Sequence, residues 1–330
     1  MLRTWFGALC AAVLWLASTA PAGAGDGGVV RVGVLQYGTV NWELDVIKRL
    51  GLADKEGVRI EVVPLALKDA ANVALQGGAV DVIVNDWIWV ARQRAEGRDF
   101  TFVPYSRAVG GIMVRPESGV HSLADLRGKR LGVGGGALDK SWLLLRAYSR
   151  KTLGEDATRL VQPDFGAPPL LNALILKGDL PAVMNFWHFA ARLKAAGMRE
   201  LLTLDEMLAA LGVESELPMV GWVFREEWAV RNRATLEAFL RASAAAKQAM
   251  RESDELWESL RAQTRAEDDA TLFALRDGYR EGVPAVDDVQ AENAARGVFG
   301  ILAELGGQEL VGAATRLPAG TFWRGSRAAR

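Results

Sequence analysis

The chain has 330 residues, 50% of them hydrophobic and 24% charged, with 39 basic and 40 acidic side chains and a formal net charge of -1. That length supports one large core or two medium ones, and the even charge balance offers no electrostatic footprint for nucleic acid or an anionic membrane. Cys10 is the only cysteine, and His121 and His188 stand far apart, so cysteine-ligated zinc and a histidine metal motif are both excluded.

Residues 1–24 read as a secretory signal peptide. Arg3 supplies the positive start, 6–17 the apolar stretch and Ala22-Gly23-Ala24 a small-residue cleavage site. The apolar stretch is shorter than the roughly 20 residues a spanning helix needs. Cys10 lies inside it, so the mature chain is expected to carry no thiol, which suits a bacterial periplasm and leaves no nucleophilic cysteine.

The spacing then predicts alternating strands and helices. Val29 to Leu35 is a strand, 42–50 a helix, 58–63 a strand, 68–76 a helix, 79–84 a buried strand, 86–96 a helix and 100–105 a strand. A second set follows: strand 111–114, a short helix opening at Ser122, strand 130–133, helix 138–152, strand 160–163, helix 168–176, strand 182–184 and helix 187–196. Beyond a strand at 219–224 the pattern turns helical, over 232–250, 255–264, 268–281 and 288–305, a tail expected to pack back on the first lobe. Two α/β lobes with doubly wound sheets follow, one built from 29–107 plus 222–330 and the other from 108–221. Chain crossings near 104–111 and 217–222 would form a hinge. No repeat with a period of 20 to 50 residues is visible.

Ligands of open parallel sheets gather beyond the carboxyl ends of the strands. That rule selects four loops and, within them, Tyr37, Thr39, Asn41 and Trp42; Asn85, Asp86 and Trp87; Gly135, Gly136 and Asp139; and Asn185, Trp187 and His188. Indole faces at such places can stack on a planar ligand while amide and carboxyl groups orient it, although each tryptophan could equally fill core space. In the 134–141 loop, Asp139 stands where a phosphate loop requires glycine, which argues against nucleotide hydrolysis. Free N–H groups at the start of the following helix could instead hold a carboxylate, sulfonate or carbonyl oxygen. Asp86 and Asp139 could act as an acid and base pair, complement a cationic ligand, or cap helices. His121 reads as a capping or surface group, and one further histidine without a nucleophile makes no triad.

The strand 30–34 followed by Tyr37-Gly38-Thr39, the run Gly78-Ala79-Val80-Asp81-Val82, the run Ser122-Leu123-Ala124-Asp125-Leu126-Arg127-Gly128-Lys129 before a strand and glycine-rich loop, and Asp179-Leu180-Pro181-Ala182-Val183 carry a resemblance. The chain resembles the substrate-binding components of ABC importers of the nitrate, sulfonate and taurine type, a group that also includes receptors and enzymes for the thiamine pyrimidine precursor. The resemblance spans about 30–250. It implies a two-lobed, type II periplasmic-binding-protein-like α/β fold with a helical C-terminal tail, a monomer that captures a small organic molecule and docks on an ABC permease, with no cofactor and no metal. With Asp86, Asp139 and several tryptophans in the loops and few Arg or Lys, the expected ligand is uncharged, zwitterionic or cationic. The alternatives are an enzyme of the same fold acting on a pyrimidine-like metabolite, or a periplasmic sensor or accessory protein. The chain lacks the cysteines that the pyrimidine-forming enzymes of the group use.

Overall fold

The structure is a computed structural model that describes residues 28–213, 216–286 and 288–325. The expected signal peptide, with Cys10, lies outside the described residues.

The first half begins with β1 (Val29–Leu35), α1 (Val40–Arg49), α2 (Leu52–Lys55), β2 (Arg59–Leu65), α3 (Lys68–Gln76), β3 (Val82–Asp86), α4 (Trp87–Ala95) and β4 (Phe100–Ser106). Val30, Val32 and Val34 alternate into the core of β1, while β3 is apolar on both faces, as a central strand must be. β1 pairs in parallel with β2 and with β3. The second half runs through β5 (Ile112–Val114), β6 (Arg130–Gly134), α5 (Lys140–Leu153), α6 (Ala157–Leu160), β7 (Gln162–Gly166), α7 (Pro168–Lys177), β8 (Ala182–Met184), α8 (Trp187–Ala195), β9 (Arg199–Leu202) and α9 (Leu204–Leu211). Ser122 opens the turn before β6 with a capping box closed by Asp125.

The chain then returns through β10 (Val220–Arg225), which adds antiparallel to β3 and β4 of the first sheet. The two five-stranded sheets have strand orders β2-β1-β3-β10-β4 and β7-β6-β8-β5-β9. In each, three parallel strands are followed by two strands joined antiparallel, so the sheets share one plan. The equivalence reaches the residues: Asn72, Asn85, Trp87 and Arg92 recur as Asn172, Asn185, Trp187 and Arg192, one hundred positions later.

The tail comprises α10 (Glu226–Arg231), α11 (Arg233–Glu252), α12 (Asp254–Ser259), α13 (Arg261–Thr264), α14 (Asp269–Glu281) and α15 (Asp288–Val311). α11 lies on α1, and the two are joined by a buried ion pair in which Lys247 Nζ donates to Glu43 Oε2 at 2.6 Å. Ser243 and the Tyr279 hydroxyl donate to the same carboxylate, so Glu43, fully buried, is completely partnered and its desolvation is offset. The tail does not lie on the first lobe alone. α14 lies against α8, and α15 lies across both α4 and α5, where Ala291, Ala295, Phe299 and Leu302 enter a core shared with Trp87 and Trp142. Small alanines let that helix approach both sheets' helices closely.

Other local expectations shift for identifiable reasons. The strand placed at 160–163 starts instead at Gln162, because Asp156 caps a short helix by accepting from the Thr158 N–H. The helix expected over 255–264 is broken at Leu260 into α12 and α13. α9 and β9 were not anticipated; Thr203 and Glu206 start α9 with a reciprocal capping box.

Candidate functional site

Each sheet ends its central strand, β3 or β8, in the same asparagine lock. In the first, Asn85 donates through Nδ2 to Asn72 Oδ1 at 2.7 Å and accepts from the Asp86 N–H at 2.8 Å. In the second, Asn185 donates to Asn172 Oδ1 at 2.8 Å and to the Pro168 carbonyl at 2.9 Å, and accepts from the Phe186 N–H at 2.9 Å. Both asparagines are buried, and their amides hold the strand end to the helix that enters from the preceding loop. They shape the rim, and these partners already occupy both donor and acceptor.

The residue after each asparagine differs. Asp86 caps α4 by accepting from the Trp89 N–H at 2.7 Å, and its other oxygen accepts from Lys68 Nζ at 2.8 Å and Lys140 Nζ at 3.0 Å. Lys68 opens α3 beside it in the first sheet, while Lys140 opens α5 of the second, so this ion pair bridges the two. Burial alone would raise the Asp86 carboxyl, but the ammonium groups of Lys140 and Lys68 and the α4 backbone outweigh it and hold the group well below the ordinary carboxylate range. Burial opposes the charge on Lys140 as well, and Asp86 and Asp139 reverse that and raise it.

Asp139 is spent on its own helix. Its Oδ1 accepts from the N–H groups of Ser141 at 2.9 Å and Trp142 at 3.4 Å. Two of the α5 N–H groups that sequence reasoning offered to a ligand oxyanion are therefore already engaged, and Asp139 serves as the helix cap. Gly135 and Gly136 take left-handed φ values of +92° and +94°, and a Cβ on Gly135 would stand 2.7 Å from Asp139 Oδ2, so the tight approach of this loop to its own cap requires glycine.

The tryptophans divide. Trp87 is 0% exposed and belongs to the core, with its Nε1 unpartnered among the described residues. Trp42 is also buried; its Nε1 donates to the Gln263 carbonyl at 3.2 Å. Trp187 is half-buried and meets Trp42 edge-to-face, with ring centroids 5.9 Å apart, so two candidates from opposite sheets touch. Next to it His188 has a buried, unpartnered Nδ1, and burial followed by the nearby Arg192 charge pushes its pKa down to about 4, so the ring is neutral at physiological pH. Tyr37 is 72% exposed at the end of β1. Thr39 begins α1 without a side-chain cap, and Asn41 uses its amide to staple the Leu35 and Gly38 carbonyls, at 2.8 and 2.9 Å. The structure thus brings together Asp86 with the start of α5, and Trp42 with Trp187, and leaves Tyr37 as the exposed aromatic of the first rim.

The NMT1/THI5-like family model matches residues 46–255, which is most of the two α/β halves. The chain belongs to the NMT1/THI5-like family. Solved structures place this member on the two-lobed periplasmic-binding-protein fold. The periplasmic aliphatic sulphonate binding protein SsuA from Escherichia coli is 19% identical with a TM-score of 0.70, over 92% of this chain and 96% of that one. The alkanesulfonate-binding protein SsuA from Xanthomonas axonopodis pv. citri, bound to MOPS, is 18% identical with a TM-score of 0.65, over 89% and 98%. A mutant of DszB in complex with biphenyl-2-sulfinic acid is 15% identical with a TM-score of 0.55, over 84% and 93%. Among curated proteins no sequence matches.

Sequence reasoning missed the apolar part of this family member's rims. Leu67 after β2, Phe165 in β7 and Phe186 after β8 are all exposed at strand ends, large side chains left open to solvent where the two sheets terminate. The strand-end rule would have found them had it not been restricted to polar and indole groups. It also missed Lys68 and Arg192, which reach the site from helices. A separate cavity of about 130 Å³ lies between Arg107, Gly110, Trp187, Lys194, Asp205 and Gly282. It is smaller than an organic-ligand pocket of roughly 300 Å³ or more, and Trp187 is its single overlap with the strand-end candidates.

Proposed function

We propose that the chain is a periplasmic solute-binding receptor that holds a small organic molecule between the strand ends of its two lobes and delivers it to an ABC permease in the inner membrane. The lobes divide as 29–107 plus 222–330 and 108–221, joined by crossings at 104–111 and 217–222. Tyr37, Trp187 and His188 line the ligand together with Phe186, Phe165 and Leu67, while Asp86, Asn85 and Asn185 set the shape of the rims.

The observation that carries the reading is the pairing of two rims built on the same asparagine lock, bridged at one end by Asp86 and Lys140 at 3.0 Å and lined elsewhere by exposed apolar side chains. A solute trap needs such convergent walls with few polar groups. The charges at the rim favour a different ligand: Lys68 and Lys140 outnumber the one carboxylate, Asp86, that they share, Asp139 is engaged as a cap, and Arg192 adds a further positive charge. An anionic or zwitterionic molecule with an apolar body suits this rim better than a cation, and the sulfonate-binding structures of the same fold support that choice. A melting-temperature screen of the mature protein against sulfonates, carboxylates, amino acids, amines and pyrimidines tests it. One class of oxyanion-bearing compounds is expected to raise the midpoint, since a ligand that binds only the native state stabilises it. No shift with any compound at millimolar concentration would overturn the receptor reading.

A further inference from the structure

Beyond the family match, which ends at residue 255, the tail sends one turn back to the cleft, and both lobes hold it. Trp42 Nε1 of α1 donates to the Gln263 carbonyl at 3.2 Å, and Arg192 of α8 donates through Nη2 to the Thr264 carbonyl at 2.6 Å and through Nη1 to the Arg265 carbonyl at 3.2 Å. Three consecutive carbonyls at the end of α13 are thereby gripped from the first lobe and the second at once. The grip holds Arg265 in a left-handed conformation, φ +53°, and among the described residues it is the one non-glycine with a positive φ. A residue with a Cβ is strained in such a backbone conformation relative to glycine and persists there where its surroundings demand it.

The Arg265 side chain leaves this turn and lays its guanidinium carbon 4.6 Å from the centroid of the Tyr37 ring, the most exposed aromatic of the first rim. Among the described residues no carboxylate pairs with Arg265, and the residue is exposed. Stacked on a phenol, a guanidinium keeps its edge available for two parallel hydrogen bonds to an oxyanion.

We infer that Arg265, carried by the tail, is a ligand-contacting and specificity-determining residue: it closes the open flank of the cleft and receives the oxyanion of a ligand whose apolar body lies along Tyr37 and Phe186. The inference rests on the receptor reading and deepens it by naming the ligand class and the residue that selects it. Either a carboxylate or a sulfonate offers the required acceptor edge. The strained backbone makes the position separable from folding, because glycine enters the left-handed region without a Cβ penalty.

The experiment compares the wild-type chain with Arg265→Gly and Arg265→Lys by calorimetry, using naphthalene-2-carboxylate, naphthalene-2-sulfonate and the uncharged 2-(hydroxymethyl)naphthalene as probes. Arg265→Gly is expected to weaken the tighter anion by about tenfold or more, to change the neutral probe by less than about twofold, and to leave the melting temperature unchanged or higher. Arg265→Lys should recover only part of the affinity, because a point charge lacks the planar fork. Equal loss for charged and neutral probes, no loss for any, or a wild type that binds neither anion would overturn the assignment. The receptor reading is judged separately by the metabolite screen, and it survives if that screen yields a ligand while Arg265→Gly binds it as the wild type does.

Discussion

The two lobes are built to one plan and finished differently. β1 to α4 and β6 to α8 run through the same order of strands, and Asn72, Asn85 and Trp87 stand in the first where Asn172, Asn185 and Trp187 stand in the second. Both locks close with the same donors and acceptors, to within 0.1 Å. The next residue departs: Asp86, buried and paired with two lysines, against Phe186, exposed and apolar. Lys68, which opens α3, has Pro168 at the start of α7 as its counterpart. A repeated frame therefore carries a buried, charged residue after one asparagine and an exposed, apolar one after the other: the buried amides are kept while the side chains after them differ.

The comparison breaks most visibly at the matched tryptophans. Trp87→Ala empties a fully buried site and should cost about 3–5 kcal/mol in a denaturant titration, whereas Trp187→Ala, half-buried, should cost clearly less and instead weaken ligand binding by about 1–3 kcal/mol. If both variants lose the same stability, the lobes are finished alike after all.

His188 and its first-lobe counterpart Ile88 sharpen the contrast through pH. An unfolded histidine titrates near 6.5, and the folded one near 4, so the unfolded chain takes up the proton first. Stability is complete above about pH 6.5 and should fall by up to about 3 kcal/mol as pH drops to 4. His188→Ile, which copies the first lobe, should flatten melting temperature across that interval, and an unchanged slope would assign the loss to other groups.

The asparagine locks should behave as equals. Asn85→Ala and Asn185→Ala each leave an amide oxygen and a backbone N–H without their partner, so each should cost about 1–3 kcal/mol in thermal unfolding, with the two values close together. Least costly is Lys140→Ala, about 1 kcal/mol, because Lys68 still faces Asp86. Its signature would be a wider separation of the lobes in small-angle scattering, since the bridging ion pair is gone.

The strands and the rims they end in were readable because parallel strands covered on both faces leave continuous apolar runs, and Asn85 and Asn185 stand at the close of such runs. The repeat relating the lobes escaped notice because it is spaced by one hundred residues and survives only as scattered identities such as Trp42 and Trp142. Lys68, Arg192 and Arg265 were invisible for another reason: long side chains and a tail turn bring them in from elements that no local pattern connects to the cleft. Counting basic residues within the loops therefore underestimated the positive charge. Asp139 suits both a ligand contact and a cap by residue type, and only the backbone geometry at α5 shows its Oδ1 bound to the Ser141 and Trp142 N–H groups.

A crystal structure of the mature protein with the compound that most raises its melting temperature tests the central account directly. The ligand is expected between the ends of β1 to β3 and of β6 to β8, within about 4 Å of Tyr37 and Phe186, with its oxyanion toward the basic flank. Density in the cavity beside Arg107 and Gly282, with the strand-end cleft left without ligand, would contradict it.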